Sequence, residues 1–112
     1  MKKKSTSKSA QKVPTRFQRF GRQYPGIMRA YEALGEATQQ AGPLDVKSRA
    51  LVKLALAVGA WREGAVHSHT RRALKAGCTP DDLRHVVLLG TTTLGFPAMM
   101  AAMSWVEDVL QG

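Results

Sequence analysis

The stretch HTRRALKAGCTPDDL, residues His69–Leu83, holds the end of one predicted helix and the start of the next. Gly77 is expected to stand just beyond the first helix, because glycine readily adopts the left-handed conformation that ends many helices. Thr79 is the expected N-cap of the second helix, with Pro80 in its first position and two acidic residues after it. The pattern therefore predicts two helices joined by a short turn.

Similar signals divide the rest of the chain into helices. Apolar residues recur at three- and four-residue steps from Ile27 to Gln40. Asp45 is the expected N-cap of a mostly apolar helix in which Lys53 is the exception. The predicted helices cover residues 27–40, 46–60, 62–76, 80–93 and 98–110. No alternation typical of strands is present, so we expect an all-α fold, a compact bundle of about five to six helices.

One uncharged run, residues 86–103, is as long as a membrane span. Gly95 and Pro97 interrupt this run, and three threonines lie in its middle. Two core helices of a bundle explain the run better than a membrane span does, so no membrane partner is expected.

The net charge of +9 is concentrated at the N-terminus. Residues 1–23 contain eight basic residues and no acid, whereas residues 24–112 contain nine basic and eight acidic residues. We therefore expect a basic, disordered arm over residues 1–23 and a nearly neutral helical domain over residues 24–112. The domain lacks a basic stripe, so nucleic acid is not the expected partner. The single cysteine, Cys78, and the absence of a secretory signal pattern favour a cytoplasmic location.

The helix predicted over residues 62–76 carries the side chains best suited to chemistry. Glu63 and His67 are four residues apart and share a face. His67 and His69 are two residues apart, about 200° around a helix, so they point to nearly opposite sides. His69 is expected to face the core, because alanines stand four residues before and after it, and His67 to face outward or toward a partner. His85, on the next helix, is placed to reach back toward either histidine.

The order of these features resembles the carboxymuconolactone decarboxylase family, which includes the alkyl hydroperoxidase D-like proteins. The resemblance covers roughly residues 44–110. It rests on the pattern H-x-x-x-A-x-x-A-G at His69–Gly77, the acidic helix start at Pro80–Asp82 and GFPA at Gly95–Ala98. It implies an all-helical fold and a homo-oligomer, a trimer or hexamer.

Hydroperoxidase members of this family carry a C-x-x-C pair whose second cysteine lies four residues before the histidine matching His69. Arg62 and Ala65 occupy those two positions here, and Ala50 occupies the position of the relay glutamate. Dithiol peroxidase chemistry needs two thiols at exchange distance, and this chain has one cysteine. We therefore exclude a dithiol peroxidase.

The resemblance then implies the decarboxylase branch: a cofactor-free decarboxylase or related lyase acting on a small carboxylated ring or lactone. Decarboxylation requires a proton donor, and a partly buried histidine can serve, which assigns His69 as the acid. Glu63 is expected to orient His67, and these two complete the catalytic set. Arg62 or Arg72 is expected to hold the substrate carboxylate by a bidentate contact.

Two alternatives stay open at this point. In the first, the protein binds a divalent metal through Glu63, His67, His69 and His85, of which helix geometry directly supports only the i,i+4 pair of Glu63 and His67. In the second, the protein is a non-catalytic helical oligomer with a basic arm.

Overall fold

A computed structural model describes residues 14–112 of the chain. All elements of regular structure in that range are α-helices, which confirms the all-α prediction. They are α1 (Thr15–Gln23), α2 (Pro25–Gln40), α3 (Val46–Gly59), α4 (Glu63–Lys75), α5 (Pro80–Leu89), α6 (Thr91–Leu94) and α7 (Phe96–Gln111).

The turn between α4 and α5 forms as the sequence predicts. Gly77 has a φ of 99°, in the left-handed region, and stands just past the end of α4. The Thr79 hydroxyl accepts a hydrogen bond from the Asp82 backbone N–H at 3.1 Å. The Asp82 carboxylate accepts one in return from the Thr79 N–H at 2.8 Å. This capping box satisfies two backbone donors at the helix start and fixes where α5 begins.

Several helix boundaries differ from the predicted ones, and α2 begins at Pro25, two residues before the predicted start. The helix predicted over residues 80–93 divides at Gly90 into α5 and the single turn α6. The last helix begins at Phe96, two residues before the predicted start. Pro97 lies in the first turn of α7, where a missing N–H breaks no helical bond. Gly95, with a φ of 104°, makes the break before it.

The core lies between α3, α4, α5 and α7. Helix α4 is central, because it packs against α3 on one side and against α7 on another, while α5 also contacts both of those helices. The largest fully buried side chains come from these four helices: Leu54, Val66, Thr70, Leu83, Val87 and Val106. Helix α4 therefore has two inward faces, one toward α3 and one toward α7.

The N-terminal part of the chain contains a helix that was not among the predicted ones. Residues 1–13 lie outside the described residues, whereas residues 15–23 form α1, which packs against α2. Helix α2 has no buried residue and exposes a row of large apolar side chains, Ile27, Tyr31 and Leu34, each more than half accessible. Across residues 14–112, no helix combines the length and apolar character needed to cross a bilayer.

Candidate functional site

The entry to α4 is held by a strained residue and a pair of aromatic rings. Trp61 has a φ of 60°, a left-handed conformation that is uncommon for a bulky side chain. Its ring packs against that of Trp105 on α7, with ring centroids 4.8 Å apart. The backbone then extends at Arg62, and α4 begins at Glu63. The contact with α7 therefore helps to set the direction in which α4 starts.

His67 and His69 lie on different faces of α4, as their spacing predicts. His69 lines a cavity of about 480 Å³, together with residues of α2, α3 and the turn between them. His67 instead contacts α7, where its Nε2 lies 3.1 Å from Asp108 Oδ2. His67 was expected to face outward or toward a partner, but α7 of the same chain packs on that side of α4 and leaves its side chain only 16% exposed.

The cavity that His69 lines is cationic. Arg49 and Lys53 on α3 and Arg72 on α4 belong to its lining, and no acidic residue does. Arg49 Nη1 also donates a hydrogen bond to the Leu44 carbonyl at 2.7 Å, which fixes part of its guanidinium. Three positive charges without an internal counter-ion favour an anionic ligand, and the volume is typical of small-molecule sites.

The same surroundings act on the His69 imidazole. Burial, followed by the positive charges of Lys53 and Arg72, lowers the pKa of His69 to about 4. Each of these causes disfavours the imidazolium. His69 is therefore neutral at pH 7 when the cavity holds no anion.

Ala50 lies in the lining of this cavity too. It is the position that the sequence resemblance aligns with the relay glutamate of hydroperoxidase members. The residues matched to that histidine and that glutamate thus face one cavity, which is consistent with the alignment of His69.

On the opposite face of α4, three potential ligand side chains come together. Glu63, His67 and Asp108 each offer one donor atom, and these atoms all lie within 4.8 Å of one another. Glu63 Oε2 is 3.8 Å from His67 Nε2, across one helical turn. Asp108, which the sequence analysis did not single out, completes the group from α7.

The four-residue metal set considered from the sequence is not brought together. His69 faces the cationic cavity, and His85 is exposed and lines a second cavity of about 510 Å³, between α3, α5 and α6, that also contains Asp82. Neither belongs to the group formed by Glu63 and His67, because α4 and α5 direct these imidazoles to separate surfaces.

The predicted substrate arginines also separate. Arg72 lines the His69 cavity, whereas Arg62 precedes α4 and is not part of that lining. Lys53 and Arg49 were missed as candidates. A signal for Lys53 was present in the sequence, since it is a charge in the apolar part of its helix. Nothing in the sequence distinguished Arg49 from the other arginines.

Cys78 belongs neither to the lining of the His69 cavity nor to the group of Glu63, His67 and Asp108. It is 4% exposed, and its thiol donates a weak hydrogen bond to the Lys47 carbonyl at 3.8 Å. Burial, together with the negative charge of Asp82, raises the pKa of the Cys78 thiol. A buried thiol held in its protonated form is a poor nucleophile.

Comparison with known proteins gives consistent results. The family model described as the carboxymuconolactone decarboxylase family matches residues 25–108. The chain is 40% identical over 61 residues to an uncharacterized protein of Haemophilus influenzae, covering 54% of each chain. It is 33% identical over 79 residues to 4-carboxymuconolactone decarboxylase of Acinetobacter baylyi, covering 70% of this chain and 58% of that one. The chain thus spans little more than half the length of these curated relatives.

A solved structure has the same fold. It is the crystal structure, in the apo form, of a carboxymuconolactone decarboxylase family protein from Legionella pneumophila, which aligns with a TM-score of 0.76 at 24% identity. The alignment covers 98% of this chain and 96% of that one. At this identity the likeness shows the fold alone.

Proposed function

Because the chain belongs to the carboxymuconolactone decarboxylase family, we propose that it is a cofactor-free decarboxylase or related lyase that acts on a small carboxylated ring or lactone. The observation that supports this most is the cavity between α2, α3 and α4, in which Arg49, Lys53 and Arg72 surround His69 without any acidic residue. The A. baylyi relative is named as a decarboxylase of 4-carboxymuconolactone, and we propose a substrate of the same chemical class.

In the proposed reaction, the cations hold the substrate's carboxylates and His69 exchanges the proton. The bond between the ring carbon and the carboxylate breaks, CO₂ leaves, and the electron pair stays on the carbon, delocalised into the conjugated carbonyl of the ring. The imidazolium of His69 then donates its proton to that carbon. The net reaction consumes one proton and releases one CO₂, so a proton donor at the reacting carbon is needed.

In this proposal, substrate binding favours the protonated form of His69. In the cavity without an anion, burial and the positive charges of Lys53 and Arg72 keep His69 neutral at pH 7. A bound carboxylate places a negative charge beside the imidazole and favours its protonated form. Anion binding and proton uptake are thus coupled, and the histidine is charged only when a substrate is present to accept its proton.

Two residues of the catalytic set expected from the sequence are not part of this mechanism. Glu63 and His67 lie on the α7 side of α4, and neither belongs to the lining of the cavity. Lys53 replaces Arg62 as a proposed substrate-binding residue, because Lys53 and Arg72 line the cavity and Arg62 does not.

The exposed row on α2 supports a homo-oligomer, the trimer or hexamer that the family resemblance implies. Ile27, Tyr31 and Leu34 are 58%, 60% and 64% exposed, which is typical of residues that a second chain covers. Helix α2 also contributes Thr38 and Gln39 to the cavity lining, so an oligomer built on α2 would lie next to the site. A non-catalytic helical oligomer would use the same surface, so only an activity measurement distinguishes it from the proposed enzyme.

The test is release of CO₂ from 4-carboxymuconolactone and a panel of related lactone and ring carboxylates. We expect turnover with the unaltered chain, and a loss of at least about 100-fold for His69→Gln, the lower range for removal of an acid catalyst. His85→Gln is the matched control, because it removes an exposed imidazole outside the cavity, and it should keep full activity. No turnover across the panel, or equal losses in the two variants, contradicts the proposal.

A further inference from the structure

We propose that Glu63, His67 and Asp108 form a binding site for one divalent transition metal ion, of which Zn²⁺ is the best match. The site lies in the seam between α4 and α7, on the opposite side of α4 from His69. It is separate from the proposed decarboxylase cavity and does not depend on that function.

The spacing of the donor atoms suits a metal ion. With metal–ligand bonds of about 2.1 Å, two donors on one ion lie about 3.0 Å apart at a right angle and about 3.4 Å apart at a tetrahedral angle. His67 Nε2 is 3.1 Å from Asp108 Oδ2 and 3.8 Å from Glu63 Oε2, and no pair in the group exceeds 4.8 Å. The pair of His67 and Asp108 already lies in this range, so only the Glu63 carboxylate has to move for all three donors to reach it.

Two of the three side chains are held in place by the core. His67 follows the fully buried Val66 on α4, and Asp108 precedes Val109, which is 2% exposed, on α7. The His67 and Asp108 side chains are 16% and 31% exposed. Glu63 is 55% exposed at the start of α4, so solvent reaches the group on this side. The arrangement combines a preorganised pair with one adjustable ligand, and solvent can supply the remaining coordination positions.

The donor chemistry points to the same class of ion. One imidazole nitrogen and two carboxylate oxygens are ligands that Zn²⁺ accepts, and three protein ligands leave a fourth position for water. Two carboxylates this close repel each other, whereas a dication between them removes that repulsion. A simple His67–Asp108 hydrogen bond also accounts for the 3.1 Å contact, but it gives Glu63 no role and predicts no metal binding.

The two tryptophans of the chain provide a local readout. Trp61 stands two residues before Glu63, and Trp105 stands three residues before Asp108, with their rings in contact. All intrinsic tryptophan fluorescence therefore originates at the end of the α4–α7 seam that holds the proposed site. Co²⁺, which takes the same ligands as Zn²⁺ and quenches nearby fluorophores, reports binding there directly.

The experiment titrates Co²⁺ into the full chain without an affinity tag while fluorescence is recorded, and measures Zn²⁺ by calorimetry. We expect saturable quenching and one Zn²⁺ per chain. His67→Gln and Asp108→Asn should each weaken binding by at least about tenfold, the smallest effect usual even for residues that only support a metal ligand. His85→Gln is the control for a lost imidazole and should bind as the unaltered chain does.

Glu63→Gln keeps the test decisive if the other two variants fail to fold, because Glu63 is largely exposed and its loss disturbs no packing. It too should weaken binding. The proposal is overturned if quenching does not saturate at one ion per chain, if Glu63→Gln and His67→Gln bind as the unaltered chain does, or if His85→Gln loses as much affinity. Turnover plays no part in these measurements, so their failure leaves the decarboxylase proposal standing, and the reverse also holds.

Discussion

Replacing Lys53 by glutamine should weaken binding of a small dicarboxylate in the His69 cavity. Lys53 is partly buried on α3. After burial, the positive charge of Lys53 is the next largest cause that lowers the pKa of His69, ahead of the positive charge of Arg72. A ligand charge at about 5 Å interacts with a lysine by about 1 kcal/mol in water and about 3 kcal/mol at an effective dielectric constant of about 20. Loss of Lys53 should therefore reduce affinity by about 5- to 150-fold.

The assay is calorimetry with furan-2,5-dicarboxylate, a five-membered ring with two carboxylates and no lactone bond to react. Lys75→Gln removes the same charge from α4 but lies outside the cavity lining, and it should change affinity by less than about twofold at physiological salt, where screening acts over about 8 Å. The effect of Lys53→Gln should become smaller at 1 M salt. Equal affinities for Lys53→Gln and the unaltered chain, or equal losses in both variants, would refute an anion site at His69.

Three further predictions concern the scaffold that positions the site. Thr79→Ala removes the capping box of α5 and should lower the free energy of unfolding by about 1 kcal/mol, measured by urea denaturation; an unchanged midpoint contradicts the role of the cap. Leu54→Ala, at a fully buried position, should cost about 2–5 kcal/mol in the same assay, and a smaller loss would argue against a tightly packed core. The Arg84 guanidinium, bound to Glu107 at 2.7 Å, lowers the pKa of Glu107, so this pair stabilises the fold above pH 4.5 and the contribution is lost as pH falls through the folded-state pKa. Glu107→Gln should make the free energy of unfolding decrease less as the pH is lowered, and an unchanged decrease would contradict the role of this pair.

Local features were predictable because local rules determine them. Gly77 and Thr79 end and begin helices for reasons contained within a few residues, and the structure confirms both. The opposite directions of His67 and His69 follow from the helical period alone. Lys53 was recognisable as a charge in an apolar helix, but only the structure shows that it lines the same cavity as His69.

The residues that were missed or misplaced depend on contacts between distant segments. Asp108 lies 41 residues from His67, and nothing near it in the sequence indicates that α7 packs against that face of α4. For the same reason His67 was expected to face outward or toward a partner, and His85 was considered a partner of His67 or His69 although α5 directs it to another surface. The helix over residues 15–23 was not among the predicted ones, because a basic segment without acids is typical of disorder; it forms α1 and packs against α2.

Imidazole resonances followed by NMR during titration with furan-2,5-dicarboxylate test the cationic cavity most directly. The chain has three histidines, which His→Gln variants assign one by one. A carboxylate bound among Arg49, Lys53 and Arg72 should shift the His69 resonances saturably toward the protonated form at pH 7, while those of His67 and His85 stay unchanged. Saturation without any change at His69, or a shift confined to His67 or His85, would contradict the account.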